Sequence, residues 1–187
     1  MFDFLKPNPA VALLKEDHIR VKDLFDQFEQ ATTRPAKKKL VRAVLTELKV
    51  HAAIEEEIFY PAVRKPVGKE IMNEADEEHH VAKLLIAELD LMDGSESHFD
   101  AKFHVLAENV RHHIKEEEDE MLPKAKGVKL DFEALAEKMA RRKETLLADG
   151  VAPVGEDTMA KAGKGNGDSP SKAAKRKTPQ LPKAGKK

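Results

Sequence analysis

The sequence predicts an all-α protein: an up-down-up-down four-helix bundle with a short fifth helix and a disordered basic C-terminal tail. Four segments carry apolar side chains at the three- and four-residue spacing of amphipathic helices, and turn residues separate them. The third and fourth segments repeat the pattern of the first two about 62 residues later, which indicates a duplicated helical hairpin. Strand-like alternation of apolar and polar residues is absent from the sequence.

Capping and turn residues predict where each helix begins and ends. Asn8 before Pro9 is a favourable cap, and Asp131 can cap the fifth helix. Ser97-x-x-Asp100 resembles a capping box that would open the fourth helix. The five helices are expected at about residues 9–31, 33–65, 69–91, 97–123 and 131–149.

Composition divides the chain into three expected parts: a metal-binding bundle over residues 1–126, an additional helix over 127–150 and a Lys-rich tail over 151–187. Residues 161–187 contain nine Lys or Arg and one acid, with little apolar surface to bury. Removing this net charge of +8 from the overall −1 leaves residues 1–160 at −9. The tail could bind nucleic acid or another polyanion, or could act only as a solubilising segment.

Two histidine–glutamate pairs lie within the apolar stripes. His51 and Glu55 are four residues apart, and His113 and Glu117 repeat the spacing 62 positions later. Because residues i and i+4 share a helix face, each pair presents an imidazole and a carboxylate together. His18 and His79 occupy matching places in the first and third stripes. The predicted metal ligands are His18, His51, Glu55, His79, His113 and Glu117.

Other polar side chains are expected to lie outside this set. His104/Glu108 and His112/Glu116 point away from the stripe and are expected to form solvated pairs, and His80 is expected to be more exposed than His79. Tyr60 lies nine residues after His51, which places it on the opposite helix face, in a structural role.

Six buried polar groups in matching places predict a bound pair of metal ions. Any one buried histidine could instead donate to a backbone carbonyl, but a buried carboxylate needs a compensating partner. Imidazole and carboxylate ligands suit Fe, Mn or Zn better than Ca or Mg, which prefer all-oxygen ligands. Affinity is expected to fall below about pH 6 as imidazoles become protonated.

The same residues resemble a known family. Asp17-His18, His51-Ala-Ala-Ile-Glu55 with Pro61, Glu78-His79, and His113-Ile-Lys-Glu-Glu117 with Pro123 together resemble the hemerythrin-like HHE cation-binding family over about residues 9–125. The resemblance implies a bundle around a non-haem di-iron centre, with two Fe ions bridged by oxo or hydroxo; Mn or Zn is less favoured. The family's ligand positions fall on the same six residues.

One departure from the family bears on function. Oxygen-carrying hemerythrins have a further histidine where this chain has Ala75, and their last carboxylate is an Asp one position beyond Glu117. The resemblance therefore favours oxygen, iron or redox sensing, or reaction with O2, peroxide or NO, over reversible oxygen carriage. Glu56, Glu78 or Asp76 could replace the missing ligand, and spacing does not distinguish them.

Composition narrows the remaining alternatives. The chain has no cysteine, which rules out disulfides, thiolate metal sites and cysteine nucleophiles. No apolar run reaches the roughly 20 residues of a membrane span, so no membrane contact is expected. The protein is expected to be cytoplasmic, because nothing in the sequence directs it elsewhere, and to be a monomer. Whether the chain is an enzyme stays open. The alternative function is a helical interaction module whose metal is structural and whose tail, residues 161–187, binds nucleic acid.

Overall fold

The computed structural model describes residues 8–150, and these form a helical bundle with a further helix packed against it. The predicted all-α architecture is confirmed: the described residues contain helices and turns but no strand. The predicted disordered tail lies outside the described residues. The helical elements are α1 (Pro9–Gln30), α2 (Arg34–Ile54), π1 (Glu55–Phe59), α3 (Tyr60–Val67), α4 (Lys69–Leu91), α5 (Phe99–Glu116), π2 (Glu117–Met121), α6 (Leu122–Lys126) and α7 (Phe132–Asp149).

Side-chain caps begin three of the helices, and two of these caps, Asn8 and Asp131, were predicted from the sequence. The Asn8 side chain accepts a hydrogen bond from the Val11 backbone N–H at 3.1 Å, and Asp131 does the same for Ala134 at 3.0 Å. Thr33 caps α2 through the backbone N–H of Ala36. These bonds satisfy N–H groups that a helix start leaves without a partner.

The predicted capping box at the fourth helix is wrong. Helix α5 begins at Phe99, and no side chain caps it. The carboxylate of Asp100 instead forms ion pairs with Arg34 and Lys37 at the start of α2. Asp100 therefore forms ion pairs with another helix instead of the predicted capping interaction.

Two π-helical turns extend the second and fourth bundle helices beyond their predicted ends. The second helix was expected to end by about residue 65 and the fourth at Pro123, but helical structure continues to Val67 and Lys126. A proline lacks the N–H that an α-helix uses and clashes with the preceding turn. A wider turn just before each proline accommodates the ring without ending the helix. Gly68, at φ 107°, then separates α3 from α4.

The apolar core consists of two clusters, with the predicted metal ligands between them along each bundle helix. One cluster centres on Phe25, Phe28 and Phe103, all fully buried. The other includes Phe59 and Met139, so α7 contributes to the core of the bundle. Burying each such side chain contributes about 1.5–3 kcal/mol. The polar side chains are therefore held in a layer enclosed by apolar packing on both sides.

Helix α7 packs on α1, α2 and π1. Besides Met139, it contributes two ion pairs: Arg142 with Glu57, and Lys143 with Asp17. Asp17 is buried beside the predicted ligands, so α7 contacts the surroundings of the site directly.

Among residues 8–150, no helix combines the length and apolarity needed to cross a membrane.

Candidate metal centre

The six predicted ligand side chains converge in the buried layer. All six are at most 6% exposed. They form two overlapping groups in which the ligand atoms lie within 4.8 Å of one another, and Glu55 belongs to both. The first group is His18, His51, Glu55 and Glu117; the second is Glu55, His79 and His113.

Glu55 lies between the two groups, with one oxygen directed to each. Its Oε1 is 3.2 Å from His51 Nε2, and its Oε2 is 3.3 Å from His79 Nε2. In the first group His18 Nε2 is 3.2 Å from Glu117 Oε2. In the second group the Nε2 atoms of His79 and His113 are 3.1 Å apart. A carboxylate in this position can bind two cations at once.

Several of these donor atoms lack hydrogen-bond partners although they are buried. The inward-facing ones are His18 Nε2, His51 Nε2, Glu55 Oε1 and both oxygens of Glu117. The close N–O distances above therefore reflect convergence on a common point rather than well-aligned hydrogen bonds. Leaving buried polar atoms unpaired costs about 1–3 kcal/mol each. A cation bound between them would satisfy all of these atoms, so the donor set fits a transition-metal pair.

A carboxylate faces the outer nitrogen, Nδ1, of every predicted histidine ligand. The Nδ1 distances are 3.0 Å for His18 to Glu118, 3.5 Å for His51 to Asp17, 2.8 Å for His79 to Glu56 and 2.7 Å for His113 to Glu78. An acceptor at Nδ1 favours the proton there and leaves the Nε2 lone pair directed inward. These four acids are sequence neighbours of predicted ligands and repeat with the duplication, but their spacing did not predict this role.

Charges in the cluster shift the proton affinities of two imidazoles. Burial of the His51 ring disfavours its protonation, but the charge of Glu55 and hydrogen bonding to Asp17 outweigh this and raise the pKa to about 10. For His79, burial is likewise outweighed, by Glu55 and Glu56, and the pKa rises to about 9. Burial acts to raise the pKa of Glu55, but the two imidazoles lower it well below its ordinary value. The cluster therefore holds protons that a cation would displace.

Tyr60 is part of the site, contrary to the prediction that it lies on the opposite face. Its hydroxyl is 3.2 Å from His79 Nε2 and 3.4 Å from Glu55 Oε2. The reason is π1: its extra residue shifts the following helix by about 100° relative to a continuous α-helix. Burial, together with the charges of Glu117 and Glu55, raises the pKa of Tyr60 well above its ordinary value. The matching position after π2 holds Leu122.

The three residues considered as substitutes for the missing histidine are engaged elsewhere. Asp76 forms a two-point ion pair with Arg64, at 2.8 and 3.0 Å. Glu56 and Glu78 contact the outer nitrogens of His79 and His113, as described above. Tyr60 is instead the additional polar group that reaches the second donor group.

The remaining histidines lie outside the cluster, as expected. His112 is exposed, with Nε2 3.1 Å from Glu116 Oε1. His104 pairs with Glu29 across helices at 3.0 Å, rather than with Glu108. His80 is half-buried, and it does not belong to either donor group.

A small cavity of about 30 Å³ adjoins the four imidazoles. Its other lining residues are largely apolar, including Val21, Leu48, Ile86 and Val110. This volume is enough for one or two small molecules. A diatomic ligand or peroxide would fit beside the donor set, with bulk water largely excluded.

Comparisons with known proteins agree with this architecture. A solved structure of a hemerythrin HHE cation-binding-domain-containing protein from Mycobacterium kansasii matches 81% of this chain and 96% of its own, with a TM-score of 0.63 and 23% identity. That likeness concerns the fold. A protein named DNA nickase from Nostoc sp. is 27% identical over 106 residues, which are 57% of this chain but only 30% of the relative.

The family follows from a match that covers most of the bundle. The model of the hemerythrin HHE cation-binding domain matches residues 10–125, from the start of α1 to α6. This range contains both donor groups and both π turns. The chain belongs to the hemerythrin HHE cation-binding domain family.

Proposed function

We propose that the chain binds a non-haem di-iron centre and uses it to sense oxygen, iron or redox state, or to react with O2, peroxide or NO. The observation that carries this proposal is the pair of donor groups sharing Glu55. Two groups joined by one carboxylate, with four imidazoles in total, match the preference of iron for mixed nitrogen and oxygen ligands. Mn or Zn could use the same donors.

The proposed ligands are His18, His51, Glu55 and Glu117 for one ion, and Glu55, His79 and His113 for the other. An iron pair supplies redox chemistry and open coordination positions for a small ligand. The protein's own contribution is to orient the rings through the carboxylates at Nδ1 and to exclude water through the apolar layers on either side. The Tyr60 hydroxyl, kept protonated by its raised pKa, can donate a hydrogen bond inside the site.

The test is metal content combined with optical spectroscopy. Protein supplied with iron should contain about two Fe per chain and show near-ultraviolet absorption typical of ferric non-haem iron. His51→Ala should lose at least one of the two ions while keeping its helical circular dichroism. His104→Ala, which removes a histidine outside both donor groups, is the matched control. Full iron content in His51→Ala would refute the assignment.

The tail supports a second candidate function, binding of nucleic acid or another polyanion. The specific observation is the charge segregation: residues 161–187 are strongly basic, whereas the rest of the chain is acidic. The name of the Nostoc relative points to the same class of partner, although this chain spans 30% of that protein. Binding of duplex DNA should weaken with salt, and it should be lost when Lys172, Lys175, Arg176 and Lys177 are changed to Gln. We also propose that the protein is cytoplasmic and monomeric.

A further inference from the structure

An acidic cleft opens between α4 and the junction of α5 with π2. It has room for about 40 Å³. Five glutamates line it, together with Ile71, Ala75 and Met121, and no basic residue is among the lining residues of the described chain. The five are Glu74, Glu78, Glu116, Glu117 and Glu120. Grouped like charges in a recess concentrate cations from solution.

The cleft reaches the proposed metal centre through Glu117. This side chain is 1% exposed, and neither of its oxygens has a hydrogen-bond partner. Glu117 lines the cleft and also belongs to the first donor group. A cation in the cleft would therefore meet a buried carboxylate of the proposed metal centre without having to cross the apolar core.

A third set of donor atoms lies at the outer part of the cleft. His112, Glu116 and Glu78 present ligand atoms within 4.8 Å of one another. His112 is exposed, whereas Glu78 also contacts the buried His113 through its other oxygen, at 2.7 Å. The set thus connects solvent to the buried imidazoles. An imidazole with two carboxylates suits a divalent first-row metal.

The acidic residues of the cleft belong to the second half of the duplication (α4, α5 and π2) and are not repeated in the first half (α1, α2 and π1). At the positions matching Glu74, Glu116 and Glu120, the first half has Leu13, Ile54 and Ile58. Leu14 and Val50 match Ala75 and His112. These apolar residues are buried or partly buried, and Met139 of α7 packs in the same cluster. One half is sealed by apolar side chains and α7, and the other is open and lined with acids.

We propose that the acidic cleft is the entry route by which a divalent transition-metal cation such as Fe²⁺ reaches the buried donors, with Glu78, His112 and Glu116 as its docking site. The proposal rests on the proposed metal-binding function and adds the path of loading. Glu74 and Glu120 attract the hydrated ion, and Ala75 leaves the space through which it passes to Glu117. In the first half, the described residues at the matching positions are apolar and packed against one another.

The test is the rate at which full-length, metal-free protein takes up Co²⁺, followed by its visible absorption in a stopped-flow instrument. Glu74→Gln/Glu120→Gln should slow uptake about three- to tenfold at low ionic strength and weaken its salt dependence. Glu133→Gln/Glu144→Gln removes the same charge from exposed positions on α7 and is the control. Ala75→Leu, which installs the residue found at the matching position, should slow uptake by narrowing the cleft.

The uptake rate tests the entry route, and the final metal content tests the metal-binding function on which the route depends. Entry through the cleft is supported if the cleft variants take up metal slowly but reach the same final metal content as the wild type. The control variant should take up metal at the wild-type rate. Equal rates in wild type, the double glutamine variant and Ala75→Leu, with two ions bound in each, would overturn the route but leave the metal site intact. Failure of the wild type to bind any metal would overturn both. Circular dichroism identifies a misfolded Ala75→Leu, in which case the charge variants decide.

Discussion

Metal binding should release protons from His51 and His79. With pKa values of about 10 and about 9, both imidazoles are almost fully protonated at pH 7 in the metal-free protein. A metal ion binds only the neutral ring. The ion bound by His51 and the ion bound by His79 should therefore each displace about one proton. An imidazole with the ordinary pKa near 6.5 would release only about a quarter of a proton at pH 7.

The direction of the pH effect follows from the same values. Because protons compete with the metal until the pH exceeds the raised pKa values, affinity per ion should rise about tenfold per pH unit between pH 7 and about 9. The sequence-based expectation, that affinity falls only below about pH 6, used unperturbed imidazoles. The difference arises because Glu55 and the outer carboxylates stabilise the charged rings.

Calorimetric titration of metal-free protein with Co²⁺ in two buffers of different ionisation enthalpy gives the number of protons released. Run at about pH 9, the same titration of Asp17→Asn should give a smaller number, because loss of the carboxylate beside His51 Nδ1 lowers the raised pKa of His51 toward that pH. Asp100→Asn, at an ion pair far along the bundle, is the matched control. A wild-type release below about half a proton per ion would refute the reasoning.

Three further predictions concern stability and the site. In metal-free protein, protonated His51 and His79 stabilise the fold fully below about pH 6.5, and this stabilisation is lost as pH rises through about 9–10. The urea concentration at the unfolding midpoint should therefore fall between about pH 7 and 10. Phe28→Ala should cost about 3–5 kcal/mol of unfolding free energy in denaturant titrations, with iron content unchanged. Lys143→Ala should cost about 1–3 kcal/mol, since it removes the cation paired with buried Asp17; an unchanged melting temperature would contradict this.

The fold was predictable because the apolar stripes are long and regular. Phe25, Phe28 and Phe103 keep helical spacing and are buried as expected. The convergence of His18 and His79 with the two i,i+4 pairs was predictable for the same reason: each lies within an apolar stripe. Rotation of 100° per residue holds for α1 and α4 and up to the end of α2 and α5.

The errors begin where that rotation changes. Tyr60 follows π1, so counting from His51 placed it on the wrong face. The available signal was Pro61, whose missing N–H is incompatible with an unbroken α-helix at that point. The role of Asp17, Glu56, Glu78 and Glu118 was missed for another reason. Each lies in a run of acids on a charged helix, where spacing does not separate an acceptor for a histidine from a solvated side chain or a further ligand. Only their positions next to predicted ligands, repeated in both halves, set them apart.

The duplication and its exceptions together account for the arrangement of the site. Both halves supply an outer carboxylate for each imidazole, and Lys22 and Lys83, 61 residues apart, pair with Glu118 and Glu56 respectively. The two donor groups nevertheless differ, because Glu55 belongs to both and Glu117 only to the first. Two further differences are Tyr60, where the second half has Leu122, and the open acidic cleft, where the first half is covered by apolar side chains and α7. Differences in ligand chemistry and in access between the two proposed ions should therefore follow from these few residues, and exchanging Tyr60 for leucine is the direct test.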